Sequence, residues 1–147
     1  MPTVKGCNIP DHLLYDVDNH IWFQEQGDGT VKLGMTTVAT AMAGQLVAFT
    51  PKKTGRSVDA GKSCATVESG KWVGPAKSAA AGEVVQINDE LVANPTIANQ
   101  DPYDKGWFLI LKPNNWDAVK PTLTPGAQVT AKYEAKMAAD GFAGCVP

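Results

Sequence analysis

The chain has few of the residues that carry chemistry on their own, and each scarcity excludes a class of function. Three cysteines occur, Cys7, Cys64 and Cys145, widely spaced and without a CxxC pair. An odd, scattered set is a poor disulfide framework, so free thiols in a reducing compartment are expected. The two histidines, His12 and His20, form no metal-ligand spacing with any cysteine, and no metal site is expected. No Ser-His-Asp set, phosphate-binding loop or defined pair of acids stands out, so the chain does not read as a self-contained enzyme. An excess of one charge is missing too: 13 basic against 15 acidic residues leave a formal net charge of -2. Nucleic-acid binding needs clustered Lys and Arg and is not indicated. No apolar run is long enough to span a bilayer, so no membrane partner is expected. Met1 to Pro10 lack the charged start and apolar stretch of a secretory signal, which makes the cytoplasm the expected location.

What the chain does have is glycine and proline, 14 and 10 in 147 residues, punctuating short apolar runs. That pattern suits one mostly β domain over residues 1–147, long enough to bury a core unaided. His20 to Gln24 and Thr30 to Met35 alternate around Gln26-Gly27-Asp28-Gly29, which predicts a hairpin. Thr37 to Ala43 predicts a short helix, with Val38 and Met42 four apart and Gly44 ending it. Leu46 to Phe49 returns to strand. Ser63 to Ser69 predicts a strand with Cys64, Thr66 and Glu68 on one face and Ala65 and Val67 on the other. Trp72 to Ala81 holds Gly74 and Pro75 and is expected to be irregular at first. Gly82 to Asn88 and Trp107 to Leu111 follow as strands. Asn94-Pro95 and Thr124-Pro125 read as helix starts, the second leading into a helix with Val129, Tyr133 and Met137 on one face and Gly141 as its stop. Residues Phe142 to Pro147 are expected to be loosely held. Val67, Val84, Ile87, Leu109 and Leu111 are expected to form much of the core.

The informative segment is Val67-Glu68-Ser69-Gly70-Lys71, followed by Ala81-Gly82-Glu83-Val84-Val85. It resembles the lipoyl-attachment hairpin of the glycine-cleavage H-protein family, in which a Glu-Ser-x-Lys stretch ends one strand and a glycine eleven residues after the lysine opens the next; Gly82 keeps that spacing from Lys71. Tyr15, His20 and Trp22, then Gly27 to Val31 with Gly34, then Gly44 with Val47 and Val58 with Gly61, match further family positions. Asn99-Gln100-Asp101-Pro102-Tyr103 followed by Gly106-Trp107 resembles the H-protein Asn-x-Asp-Pro-Tyr … Gly-Trp signature. The resemblance covers about residues 9–133 and leaves 134–147 as a tail.

The resemblance implies a lipoyl/biotinyl-type hybrid β-sandwich with short helices and a C-terminal helix, and a carrier rather than an enzyme. It implies lipoic acid bound covalently as lipoyl-lysine at Lys71. Biotin carriers of this architecture typically show Met-Lys-Met where this chain has Gly70-Lys71-Trp72, so lipoate is favoured. The implied cofactor-binding set is Lys71 with Glu68, Ser69, Gly70, Trp72 and Gly82. A carrier lysine must be exposed and mobile at its tip but fixed at its base, which a turn between strands provides. Glu68 is then a charged landmark for the modifying enzyme, and Gly82 is expected to let backbone lie close beside the attachment hairpin. Implied partners are a lipoate-protein ligase or the lipoyl synthesis machinery, and dihydrolipoamide dehydrogenase.

Some positions depart from the usual H protein. Trp72-Val73-Gly74-Pro75 follows the lysine, Ser78-Ala79-Ala80-Ala81-Gly82 has alanine where proline is expected, and the tail carries Cys145. These departures resemble the lipoate-binding proteins of sulfur oxidation that work with a heterodisulfide-reductase-like complex. That resemblance favours carriage of sulfur-bound intermediates over the aminomethyl carriage of glycine cleavage, with an unmodified scaffold protein as the reading from another class. Trp72 and Cys145 each also have a bland reading, as local packing and as an incidental thiol. Cys7 is expected to be exposed without an activating partner, and Cys64 to be buried and inert. His20 and Trp22 are expected to pack at the start of the sheet rather than line a lipoyl pocket.

Overall fold

The computed structural model describes residues 3–145. Twelve strands run in the order β1 (Thr3–Val4), β2 (Cys7–Asn8), β3 (Leu14–Asp16), β4 (Ile21–Glu25), β5 (Val31–Met35), β6 (Leu46–Pro51), β7 (Ser57–Val58), β8 (Lys62–Ser69), β9 (Val73–Ser78), β10 (Gly82–Ile87), β11 (Leu109–Pro113) and β12 (Thr124–Pro125). Helices α1 (Thr37–Ala43), α2 (Asp89–Ala93), α3 (Ile97–Gln100), α4 (Trp116–Val119) and α5 (Thr130–Ala139) lie between and after them. A seven-stranded sheet, β12-β3-β4-β5-β11-β10-β7, packs against a three-stranded one, β6-β8-β9, and β1-β2 form a small ribbon. This is the expected β-sandwich with short helices and a C-terminal helix.

Alternation decides which side chains fill the space between the sheets. Phe23, Leu33, Val67, Val84, Leu109 and Leu111 are fully buried in one core, while Ile87 only packs against it. A second core gathers Tyr15, Trp22, Val38, Val129, Tyr133 and Met137 beneath the chain's two ends. The α5 stripe Val129, Tyr133 and Met137 is buried as its spacing predicts. Gly34 is required under Trp22, because a Cβ there would come 2.9 Å from the indole.

Several local expectations are corrected. Val73–Ser78 is a regular strand despite Gly74 and Pro75. It is the edge of its sheet, where a proline's missing N–H need not leave a ladder bond unmade. Cys64 does not share a face with Thr66 and Glu68: the register slips between Ser63 and Ala65, so Cys64 is buried while Thr66 and Glu68 stay exposed. Asn94 ends α2 instead of starting a helix, and α3 begins after Thr96. Thr124-Pro125 pairs with Leu14-Tyr15 as a strand, and α5 starts only at Thr130.

The largest correction concerns the cysteines and the tail. Cys7 and Cys145 are joined by a disulfide across 138 residues. Cys7 is fully buried. The backbone N–H of Cys145 donates to Lys5 O at 3.0 Å, so the tail up to Cys145 is tied to the N-terminal ribbon rather than loosely held; Val146 and Pro147, part of that expectation, lie outside the described residues. Spacing alone hid this pair, because only the packed second core brings the two ends together. The pairing also removes the support that free thiols lent to a reducing compartment. Cys64 is the free cysteine among the described residues. Burial pushes its thiol up to about 12, so it stays protonated and inert.

Candidate functional site

Lys71 stands exposed at the tip of the β8–β9 hairpin. The turn beneath it is fixed by Ser69, whose backbone N–H donates to Trp72 O at 2.7 Å. The Ser69 hydroxyl accepts from Lys71 N at 3.3 Å and is itself buried. Gly70 is open to solvent and has no positive φ, so it keeps the turn bare beside the lysine without being demanded by the backbone. Glu68 is exposed on β8, facing Val73 and Ala48 across the sheet. Lys71, Glu68, Ser69, Gly70 and Trp72 are thus brought together. Gly82 is not: it lies beyond the opposite end of the hairpin, pairing with Val58 and Pro113. Its lack of a side chain serves β11, since a Cβ would sit 2.9 Å from Pro113 Cα. The backbone close to Gly82 is therefore β11 and not the β8–β9 hairpin, contrary to expectation.

Beside Lys71 opens an apolar groove of about 370 Å³, within the usual size of a small-molecule site. One wall is α1, through Ala39, Met42 and Ala43; the other is β9, through Pro75 and Ala76, with Trp72 at the mouth. Ile21 and Met35 also line it, and Asn19 and His20 are polar residues on its rim. The Lys71 stem already leans this way, since Cε lies 3.4 Å from where a Cβ on Gly44 would be. Gly44 has φ of 84°, and it is this conformation that demands glycine.

The Asn99–Tyr103 signature holds α1 in place from both ends. Asn99 Nδ2 donates to Gly44 O at 2.9 Å and its Oδ1 accepts from Leu46 N at 2.8 Å. Tyr103 Oη accepts from Thr37 N at 3.0 Å and donates to Asn8 O at 2.7 Å. Pro102 O accepts from the Trp22 indole at 3.0 Å. Asn99→Ala is expected to lower stability by about 2–3 kcal/mol, because two backbone groups lose their partner at once. A urea midpoint lowered accordingly, with unchanged m, is the check.

His20 lines the groove and also packs as expected, its ring stacked on Tyr133 with centroids 6.0 Å apart, while Trp22 is a buried packing residue. Burial lowers the His20 pKa, Lys136 lowers it further, and Asp140, 3.7 Å away, opposes both without prevailing. The imidazole is therefore neutral at pH 7. A histidine whose folded pKa is depressed gains no stability above its ordinary value of 6.5 and loses it as pH falls below. Melting temperature should drop between about pH 7 and pH 5, and His20→Gln should shrink that drop. Equal acid limbs in the two proteins would contradict this.

A hybrid sandwich with a lysine at the tip of a protruding hairpin is the architecture of a lipoyl-type carrier domain. The family model described as Glycine cleavage H-protein matches residues 13–136. The chain is 48% identical over 127 residues to "Glycine cleavage system H protein 5" of Aquifex aeolicus, covering 84% of this chain and 85% of that protein. It is 40% identical over 136 residues to "Probable glycine cleavage system H protein 2" of Sulfurisphaera tokodaii, covering 91% and 92%. The crystal structure of a glycine cleavage system H protein from Mycobacterium marinum superposes with a TM-score of 0.73 at 30% identity, covering 91% of this chain and 100% of that one. The chain belongs to the glycine cleavage H-protein family, whose members are carriers that bear lipoate on a lysine. No helix among the described residues is long and apolar enough to cross a membrane.

Proposed function

We propose that this protein carries a lipoyl arm as an amide on Lys71 and that the groove between α1 and β9 receives the arm between encounters with partner enzymes. The observation that carries this is the juxtaposition itself: an exposed hairpin-tip lysine whose stem leans toward an apolar groove of fitting size. When bound, the lipoyl group supplies a dithiol–disulfide couple that can take up, hold and release a passenger. The protein's residues do the rest. Ser69 anchors the turn, Gly70 leaves it bare, and Ile21, Met35 and Ala43 exclude water from the arm. Glu68 offers a charged landmark to a lipoate-protein ligase, and dihydrolipoamide dehydrogenase would reoxidise the arm.

For the passenger, the names of the relatives favour the aminomethyl group of glycine cleavage. One observation favours a second reading, a sulfur-bound intermediate exchanged with a heterodisulfide-reductase-like complex. None of the residues lining the groove is acidic, and His20 is neutral, so a cationic amine would find no countercharge there. Thioether, indole and methyl surfaces suit sulfur instead. The relatives are also serially numbered, 5 in one organism and 2 in another, which leaves room for members with separate duties. Reconstitution decides between them. The lipoylated protein is supplied to the remaining glycine-cleavage components and, separately, to the heterodisulfide-reductase-like complex with a sulfur donor. Glycine decarboxylation without a sulfur response establishes the first reading; a sulfur adduct on the Lys71 peptide without decarboxylation establishes the second.

A further inference from the structure

Gly74 has a feature that nothing about its backbone explains. Its φ is not in the left-handed region, and it sits within β9 opposite Val67, where glycine weakens a strand. The three atoms nearest a Cβ built there all belong to the Trp72 ring, with Cε2 at 2.9 Å. Gly74 and Ala76 fall on one face of β9 by strand alternation, and the Trp72 ring just before the strand lies over that face at Gly74. The indole therefore lies back along β9 over Gly74, toward the Ala76 that lines the groove. Trp72 is 41% exposed and belongs to neither core; its ring occupies the space left by the bare glycine.

We infer that Gly74 is a positioning residue that seats the Trp72 indole as the groove wall beside Lys71, so that residues 72 and 74 act as one unit in shielding the arm. This rests on the reading of Lys71 as the attachment site. Any side chain at 74 occupies the space of the ring. The indole must then swing outward and open the wall, or tip inward and displace the arm, and either movement exposes the arm's thiols. In Trp72→Ala the seat is empty and residue 74 has nothing to position.

The test uses the full-length protein in two states. In the unmodified protein, the Trp72 indole N–H resonance, assigned by its loss in Trp72→Phe, should shift in Gly74→Ala. In lipoylated protein with the arm reduced, alkylation by a neutral haloacetamide should be about 3-fold or more faster in Gly74→Ala and in Trp72→Ala than in the wild type. The double variant should be no faster than Trp72→Ala alone, because the coupling runs wholly through the ring. The double variant also removes the overlap, so it keeps the test open if Gly74→Ala folds poorly. An unmoved indole resonance, or an effect of Gly74→Ala that persists in the Trp72→Ala background, overturns the inference. Peptide mapping of each lipoylated sample separates the two readings: an arm found on another lysine removes the Lys71 assignment, while the indole shift in unmodified protein still decides the seat.

Discussion

Lys71→Arg should yield a folded protein that remains wholly unmodified when co-expressed with a lipoate-protein ligase. Arginine keeps the charge and most of the stem, but its guanidinium cannot form the carrier amide. The turn itself rests on Ser69 and on the backbone bond from Ser69 N to Trp72 O, neither of which involves the Lys71 side chain. Stability should therefore change by no more than about 0.5 kcal/mol, as for other exposed positions. Intact mass shows the loss of modification and thermal melting shows the retained fold. An arginine variant that still gains the lipoyl increment would mean that another lysine bears the arm.

Opening the Cys7–Cys145 bridge should cost more stability than any surface substitution. The bridge closes a loop across 138 residues. The chain-entropy relation for a loop of that length gives about 5 kcal/mol, with measured bridges commonly nearer 2–4 kcal/mol. For a chain of this size that corresponds to a fall in melting temperature of about 10 °C. Cys145→Ser tests it by calorimetry with and without reductant. Wild type should lose the same increment when reduced, and the variant should not respond to reductant. A variant melting within a degree or so of the wild type would show that the second core alone holds the two ends. The α1 end nearest the bridge should feel the change first, because Cys145 Sγ lies 3.8 Å from Thr37 O and Thr37 Oγ1 donates to Asn8 O at 2.7 Å.

The parts of this structure that were legible in the sequence are those set by short-range pattern. Val38 and Met42 four apart, with Gly44 behind them, specify α1 without reference to the rest of the fold. The alternation of Val31, Leu33 and Met35 around the Gly27–Gly29 turn specifies the β4–β5 hairpin. The β8–β9 turn that exposes Lys71 was legible through its motif and its place at a strand end. β9 was not, because Gly74 and Pro75 are read as breakers unless it is known that one seats an indole and the other lies on a sheet edge. Helix α2, five residues long, is shorter than the helical period needs to show itself. The groove was least accessible of all. Its lining comes from β4, β5, α1 and β9, which meet only after the sandwich closes, so nothing local marks Ala39, Met42 or Ala76 as neighbours of Lys71. The same holds for Asn99, whose role in pinning Gly44 and Leu46 spans 55 and 53 residues.

The most direct measurement is tandem mass spectrometry of peptides from the protein after lipoylation by a lipoate-protein ligase, with every lysine in the chain covered. The lipoyl increment should localise to the peptide containing Glu68-Ser69-Gly70-Lys71, on Lys71 and on no other lysine. An unmodified Lys71 peptide, or the increment on any other lysine, would contradict the assignment of this hairpin as the carrier site.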